Sequence, residues 1–251
     1  MSGRIHVVGL GPGDERHRTP AAEDALRQSR HLVGYGPYLA RIALRDGQTA
    51  HASDNREELD RARHALRLAA EGETVSLVSS GDAGVFAMSA TLFEALEADG
   101  DPGVEIEIVP GVTAMIAAAA RTGAPLGHDF CAISLSDNLK PWDTVLGRVR
   151  AAAEADFVMA LYNPISKARP WQLGKVLETL RELRAPDTPV VFATAVSRPD
   201  EEIAVLPLSN AQPEMADMRT LVIVGSSETR CIRRGNDGVW VYTPRTASVP
   251  A

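Results

Sequence analysis

Short apolar runs along this chain alternate with longer segments whose apolar positions recur at helical spacing. Residues 5–8, Ile-His-Val-Val, predict a first strand. Residues 20–29 predict a helix, with Thr19 able to cap it and Pro20 suited to the first helical position. A short strand follows at 31–34, then a turn at Tyr35-Gly36-Pro37. Over 57–71, Leu59, Ala62, Leu66, Ala69 and Ala70 share one helical face, predicting an amphipathic helix. Residues 75–78 read as a buried strand and 90–98 as a helix. Residues 104–109 alternate with period two, predicting a strand at a sheet edge or with one solvated face. Residues 110–114 read as a hinge, followed by an alanine-rich helix over 115–121.

The second half repeats the alternation. Strands are predicted at 130–135, 157–162 and 190–196, with helices at 142–155 and 171–184. Strands at 202–206, 220–224 and 239–242 follow without a long helix, and the polar tail from Thr243 is expected to be loose. Alternating strands and helices define an α/β fold with largely parallel sheets, and the strand-rich ending adds an antiparallel portion to the second sheet. The hinge divides the chain into two α/β domains, 1–110 and 111–251. No internal repeat or low-complexity linker is present.

Composition narrows the class. Of 251 residues, 45% are hydrophobic and 24% charged, enough for a sizeable core without staples. A net charge of −7 argues against a generic nucleic-acid binder and requires any basic lining for an acidic substrate to be local. Cys131 and Cys231 lie in apolar runs with no Cys or His at ligand spacing, so neither a disulfide framework nor a metal site is expected. The N-terminus lacks a signal-peptide pattern, and no apolar run approaches the ~20 residues that span a bilayer. The expectation is a soluble, cytoplasmic protein with no membrane partner.

Candidate chemistry lies in loops that follow strands. Ser79-Ser80-Gly81-Asp82-Ala83-Gly84-Val85-Phe86-Ala87-Met88 joins a strand to a helix. Its glycines permit close backbone approach, and Asp82 can accept from a hydroxyl or ammonium or cap the helix. Gly9-Leu10-Gly11-Pro12-Gly13-Asp14 also ends a strand, but it lacks the G-x-G-x-x-G spacing of a dinucleotide site. Loops at 110–114, 134–137, 162–166 and 193–198 share the position, and ligands of open α/β sheets collect at such strand ends. No P-loop, H-E-x-x-H or G-x-S-x-G pattern occurs.

In order and spacing, Val8 to Asp14, Ser80-Gly81-Asp82 and Pro110-Gly111-Val112-Thr113-Ala114 resemble the tetrapyrrole methylases, which use S-adenosylmethionine. The resemblance covers nearly the whole chain. Within that family, Ser134-Leu135-Ser136-Asp137 with Pro141-Trp142, and Leu161-Tyr162-Asn163-Pro164, are similar to members that methylate C17 of a corrin precursor and contract its ring during cobalamin synthesis. Many members carry Pro after the Gly-Asp pair where this chain has Ala83, a change that still allows close approach.

The resemblance implies two α/β domains with the cofactor cleft between them, and a homodimer. It implies cofactor contacts at Gly11, Pro12, Gly81, Asp82, Ala83, Val85, Phe86, Thr113 and Ala114, and further on at Ser134, Tyr162, Asn163, Ala193, Thr194, Leu221 and Val222. Plainer readings stand beside these: strand core for Leu221 and Val222, a helix cap for Thr113, a core aromatic with a satisfied hydroxyl for Tyr162. The implied substrate is a corrinoid rich in carboxylates. Arg16, Arg18, Lys167, Arg169 and Arg198 are candidates to receive those groups. Ring contraction also needs a proton to move, and Asp14, Asp137 and Lys140 are the candidate acids or bases. Methylation at C11 or C20 and a cobalt-bearing substrate are alternatives. An RNA methylase of the same fold would need a strongly basic surface.

Overall fold

The computed structural model describes residues 3–166, 169–235 and 238–246. The chain forms two compact units, Met1–Thr113 and Ala114–Ala251. In the first, β1 (Arg4–Gly9), α1 (Pro20–Gln28), β2 (His31–Tyr35), α2 (Gly36–Leu39), β3 (Thr49–Ser53), α3 (Glu58–Ala70), β4 (Thr74–Ser79), α4 (Met88–Asp99) and β5 (Glu105–Val109) follow one another. The strands form one sheet in the order β3-β2-β4-β1-β5, and every pair is parallel. All five strands therefore end at the same edge, and the loops after β1, β4 and β5 leave from three adjacent strands.

Central strands buried on both faces need continuous apolar sequence. Ile5, Val7, Val75 and Leu77 pack with Ala62, Ala65, Ala69 and Leu92 of α3 and α4, while Val8, Leu10, Leu32 and Val78 pack with Ala22, Ala25 and Leu26 of α1. The edge strand β5 is mostly open to solvent, as its alternation predicts. Thr19 caps α1 by accepting from the Ala22 amide at 3.1 Å, with Pro20 at the first helical position.

Two local expectations are corrected, and one strand was not expected. Gly36 and Pro37 begin the short helix α2 rather than a simple turn. Leu59 is 38% exposed, and Ala65 takes its place in the buried stripe of α3. The polar strand β3 carries no apolar signal and exists through its register with β2.

The second unit contains α5 (Ala114–Thr122), β6 (Gly123–Ala124), β7 (Phe130–Ser134), α6 (Trp142–Glu154), β8 (Val158–Tyr162), α7 (Gln172–Leu183), β9 (Pro189–Thr194), β10 (Glu202–Pro207), β11 (Thr220–Val224), β12 (Arg230–Arg234) and β13 (Gly238–Tyr242). Its main sheet runs β10-β9-β11-β8-β7, with β7 and β8 parallel and the other neighbours antiparallel, so it is mixed as expected. Strands β7, β8 and β9 point the same way, and the loops after them share one edge. Met159, Leu161, Phe192, Val222 and Val224 form the core with Leu173, Val176, Leu177 and Leu180 of α7.

A small sheet, β12-β13-β6, completes the unit. Strand β12 was not expected from the sequence, and all five of its residues are exposed. The expectation of a loose tail fails at Thr243. This residue is 3% exposed and its hydroxyl donates to the Pro125 carbonyl at 2.6 Å.

Candidate functional site

The loops after β1, β4 and β5 meet backbone to backbone. Leu10 N–H donates to the Ser79 carbonyl at 2.9 Å, and Gly11 and Gly81 then bond reciprocally, N–H to carbonyl. Gly11 has φ +73° and Gly81 φ +69°, the left-handed region that favours glycine. A Cβ on Gly111 would lie 2.3 Å from the Gly81 carbonyl oxygen and 2.7 Å from that of Gly9. The three loops approach this closely because no side chain intervenes.

Asp82 fastens the junction. One carboxylate oxygen accepts from the Gly84 N–H at 2.8 Å, the other from the Gly111 N–H at 2.9 Å. The expected capping role falls instead to Ser79, whose hydroxyl accepts from the Met88 N–H at 3.2 Å where α4 begins. Each Asp82 oxygen keeps a lone pair for a further donor. Ala83 is buried, Val85 is half-buried, and Phe86 is 50% exposed with φ +52°. A bulky residue held left-handed is a strained feature of the kind that gathers at ligand sites. Pro12 and Thr113 are buried.

Arg41 escaped the sequence analysis, since one arginine after a short helix carries no motif. Its guanidinium donates to the carbonyls of Gly11 and Gly13 at 3.0 Å each, to that of Leu10 at 3.4 Å, and to the Ser80 hydroxyl at 3.1 Å.

The candidate charged groups of this unit are paired. Asp14 accepts from the side chain and main chain of Arg16, which hold its carboxyl at about 2, well below the ordinary range. The Asp14 carboxylate, a candidate acid or base, is thus engaged by Arg16. Arg18, a candidate receiver of substrate carboxylates, is also engaged. Its side chain is only 6% exposed, and it donates to Glu23 at 2.5 Å and to the Arg41 carbonyl at 3.3 Å.

In the second unit, the loops after β7 and β8 are joined. Asn163, at φ +51°, donates from its amide to the Ser134 hydroxyl at 2.9 Å. The Tyr162 hydroxyl accepts from the Met115 N–H at 3.1 Å and so caps the first turn of α5, where Ala114 stands first. Asp137 is gripped by Arg169 and by Gln172 at 3.2 Å. Burial tends to raise its carboxyl, but these bonds outweigh it and leave the group below its ordinary value. Lys140 has no acidic partner among the described residues. Burial, and then the nearby Arg148 charge, lower its ammonium.

Ala193 and Leu221 are register partners in the sheet, and the Thr194 hydroxyl bonds that of Thr220 at 2.7 Å. Leu221 and Val222 are 3% and 0% exposed within the sheet. Arg198 is half-buried, and its main-chain N–H donates to the Ala195 carbonyl at 3.0 Å. Lys167 lies outside the described residues. Among the described residues no cluster of His, Cys, Asp or Glu could hold a metal ion, and no helix is long and apolar enough to cross a membrane.

The family model of the Tetrapyrrole (Corrin/Porphyrin) Methylases matches residues 4–212. The chain belongs to this family. It is 57% identical over 249 residues to a precorrin-3B C(17)-methyltransferase from Sinorhizobium sp, covering 98% of this chain and 97% of that one. A probable cobalt-factor III C(17)-methyltransferase from Salmonella typhimurium is 40% identical, covering 96% and 98%. Among solved structures, that of the methyltransferase CobJ superposes with a TM-score of 0.92 at 58% identity, covering 97% of this chain and all of the other.

Proposed function

We propose that this chain transfers the methyl group of S-adenosylmethionine to C17 of precorrin-3B and contracts the macrocycle, giving precorrin-4 in cobalamin synthesis. One observation carries the reading. The relative named for that reaction is 57% identical across almost the full length of both chains. The cobalt-factor relative, at 40%, marks the nearest alternative substrate.

The residues present suit such a donor. Gly84 is exposed, and a Cβ there would meet only the Asp82 carboxylate, at 3.3 Å, so the main chain is open to a ligand beside that acid. Gly11, Pro12, Gly81, Asp82, Ala83, Val85, Phe86 and Thr113 would hold it from the first unit. Ala114, Ser134, Tyr162, Asn163, Ala193 and Thr194 stand as proposed contacts from the second. When bound, S-adenosylmethionine supplies a methyl group already activated by its sulfonium. The chain's own task is to orient the macrocycle carbon in line and exclude water.

Asp14 and Asp137 are spent on arginines. Lys140 therefore takes the proton-transfer role in ring contraction, its lowered ammonium and the neighbouring Arg148 favouring release of a proton. A homodimer in the cytoplasm, with no nucleic-acid partner, completes the reading; light scattering and fractionation test it.

Incubation with S-adenosylmethionine and precorrin-3B, followed by mass spectrometry, tests the reaction. A gain of one methyl group on a contracted ring is the expected result. Methylation of RNA with no corrinoid turnover would reverse it.

A further inference from the structure

The glycine loop after β1 has little reason to hold one shape by itself. Gly11 and Gly13 carry no Cβ, so many backbone conformers are open to them, and Pro12 supplies no N–H with which to tie the loop down. Yet the carbonyls of Leu10, Gly11 and Gly13 all converge on one guanidinium, that of Arg41. All three accept from the same nitrogen, Nη2. The second nitrogen of the guanidinium reaches the Ser80 hydroxyl, next to Gly81 and Asp82. Arg41 comes from neither loop. It follows α2, at the end of β2, and its own carbonyl is held by the inward-turned Arg18, which is anchored in turn on Glu23.

Charge divides the work at this edge of the sheet. Asp82, an anion, gathers main-chain N–H groups from Gly84 and Gly111, and Arg41, a cation, gathers main-chain carbonyls from the loop opposite. Only arginine has several donors fixed in one planar fork. A lysine ammonium can meet the carbonyls that share Nη2 but not, at the same time, the Ser80 hydroxyl that takes Nη1, so it retains only part of the arrangement.

We infer that Arg41 is a positioning residue for the donor site: it sets the shape of the glycine loop before the ligand arrives, so that affinity is not spent on ordering the loop. The inference rests on the reading of this junction as the S-adenosylmethionine site. It predicts a loss of affinity without any loss of direct contact.

Calorimetric binding of S-adenosylhomocysteine to the wild type, Arg41→Lys, Arg41→Gln and Arg41→Ala tests it, with thermal melts of the unliganded proteins alongside. Arg41→Ala is expected to weaken binding by about tenfold or more, as KM for S-adenosylmethionine rises further than kcat falls. Arg41→Lys should fall between, and millimolar guanidinium should restore part of the affinity of Arg41→Ala while leaving the wild type unchanged. A merely structural arginine would lower the melting temperature without that selective rescue. Should Arg41→Ala fail to fold, Arg41→Lys and Arg41→Gln carry the test on the same terms.

Affinities within about twofold of wild type overturn the role of Arg41 and leave the donor site standing. So does weakened binding that guanidinium does not rescue and that Lys does not partly retain. A wild type that binds no S-adenosylhomocysteine at all overturns the donor-site reading itself.

Discussion

Gly11 and Gly81 exchange both main-chain hydrogen bonds, at 3.0 Å and 2.9 Å, and both occupy the left-handed region. They lie just beyond the ends of the paired strands β1 and β4, so the parallel ladder passes at once into a reciprocal bridge between two loops. Glycine adopts that geometry at least cost. The bridge thus explains the paired glycines as a matter of backbone approach, before any ligand is considered.

The same closeness makes Gly111 intolerant of a side chain. The added Cβ of Gly111→Ala would collide with two carbonyl oxygens of the main chain, which have no rotamer by which to yield. The expected cost is about 3 kcal/mol, in the upper range for overpacking. Urea unfolding measures it, and a change under about 0.5 kcal/mol would mean the loops part easily.

Asp82→Ala removes the acceptor for two amides at once. Hydrogen bonds to charged groups contribute roughly 1.5–3 kcal/mol each when buried. Asp82 is half-buried, so about 2 kcal/mol in total is the reasonable expectation. Affinity for S-adenosylhomocysteine should fall with it. Asp82→Asn keeps one acceptor and turns a donor toward the other amide, recovering at most part of the loss. Unchanged affinity by calorimetry would remove Asp82 from the site.

Lys140 separates proton transfer from anion binding. Lys140→Arg keeps the cation but cannot release a proton near neutrality, whereas Lys140→Met removes both functions. If Lys140 moves the proton, both variants lose about 100-fold or more in turnover. If it only receives a carboxylate, Lys140→Arg retains most activity. Initial rates followed by product mass distinguish the two.

Acid should loosen the first unit through a chain of imidazoles. Arg67 can only donate, so the His64 Nδ1 that it meets at 3.1 Å is an acceptor. The His64 Nε2–H then donates to His51 Nδ1 at 3.0 Å, and the His51 Nε2–H to His31 Nδ1 at 2.9 Å. His31 Nε2 faces Glu73 at 3.7 Å, and Glu73 also pairs with Arg30. His51 and His64 must be neutral, because a proton on either Nδ1 sets donor against donor.

Burial lowers the ring pKa of both His51 and His64 below 6.5, reinforced at His64 by the Arg67 guanidinium and at His51 by the charge that a protonated His64 or His31 would add. A lowered folded pKa means that the unfolded chain binds more protons in acid. The stabilisation is therefore complete above pH 6.5 and is lost as pH falls toward the folded values. Melting temperature should drop as pH falls below about 6.5, and less steeply in His51→Gln. An identical pH profile for that variant would refute the account.

Much of the fold was legible in the residues alone. Central strands such as 75–78 are buried on both faces, and that burial demands an apolar run visible without coordinates. Thr19 and Pro20 announced α1 because capping is local chemistry. Strands β3 and β12 were invisible for the opposite reason, being polar segments that became strands by pairing with a neighbour.

The candidate site divides along the same line. The glycine, aspartate and threonine loops lie in contiguous sequence, and short-range patterns identified them and the family. Arg41 lies 30 residues from Gly11, and Gly111 lies 29 from Asp82, so nothing local joins them. By itself, the sequence determined most of the strands and helices and the loops between them, because those properties follow from neighbours in the chain. Tertiary structure alone decided which charges are spent on one another and which carbonyls converge on a single guanidinium, because hydrogen bonds depend on separations in space that a linear pattern does not encode.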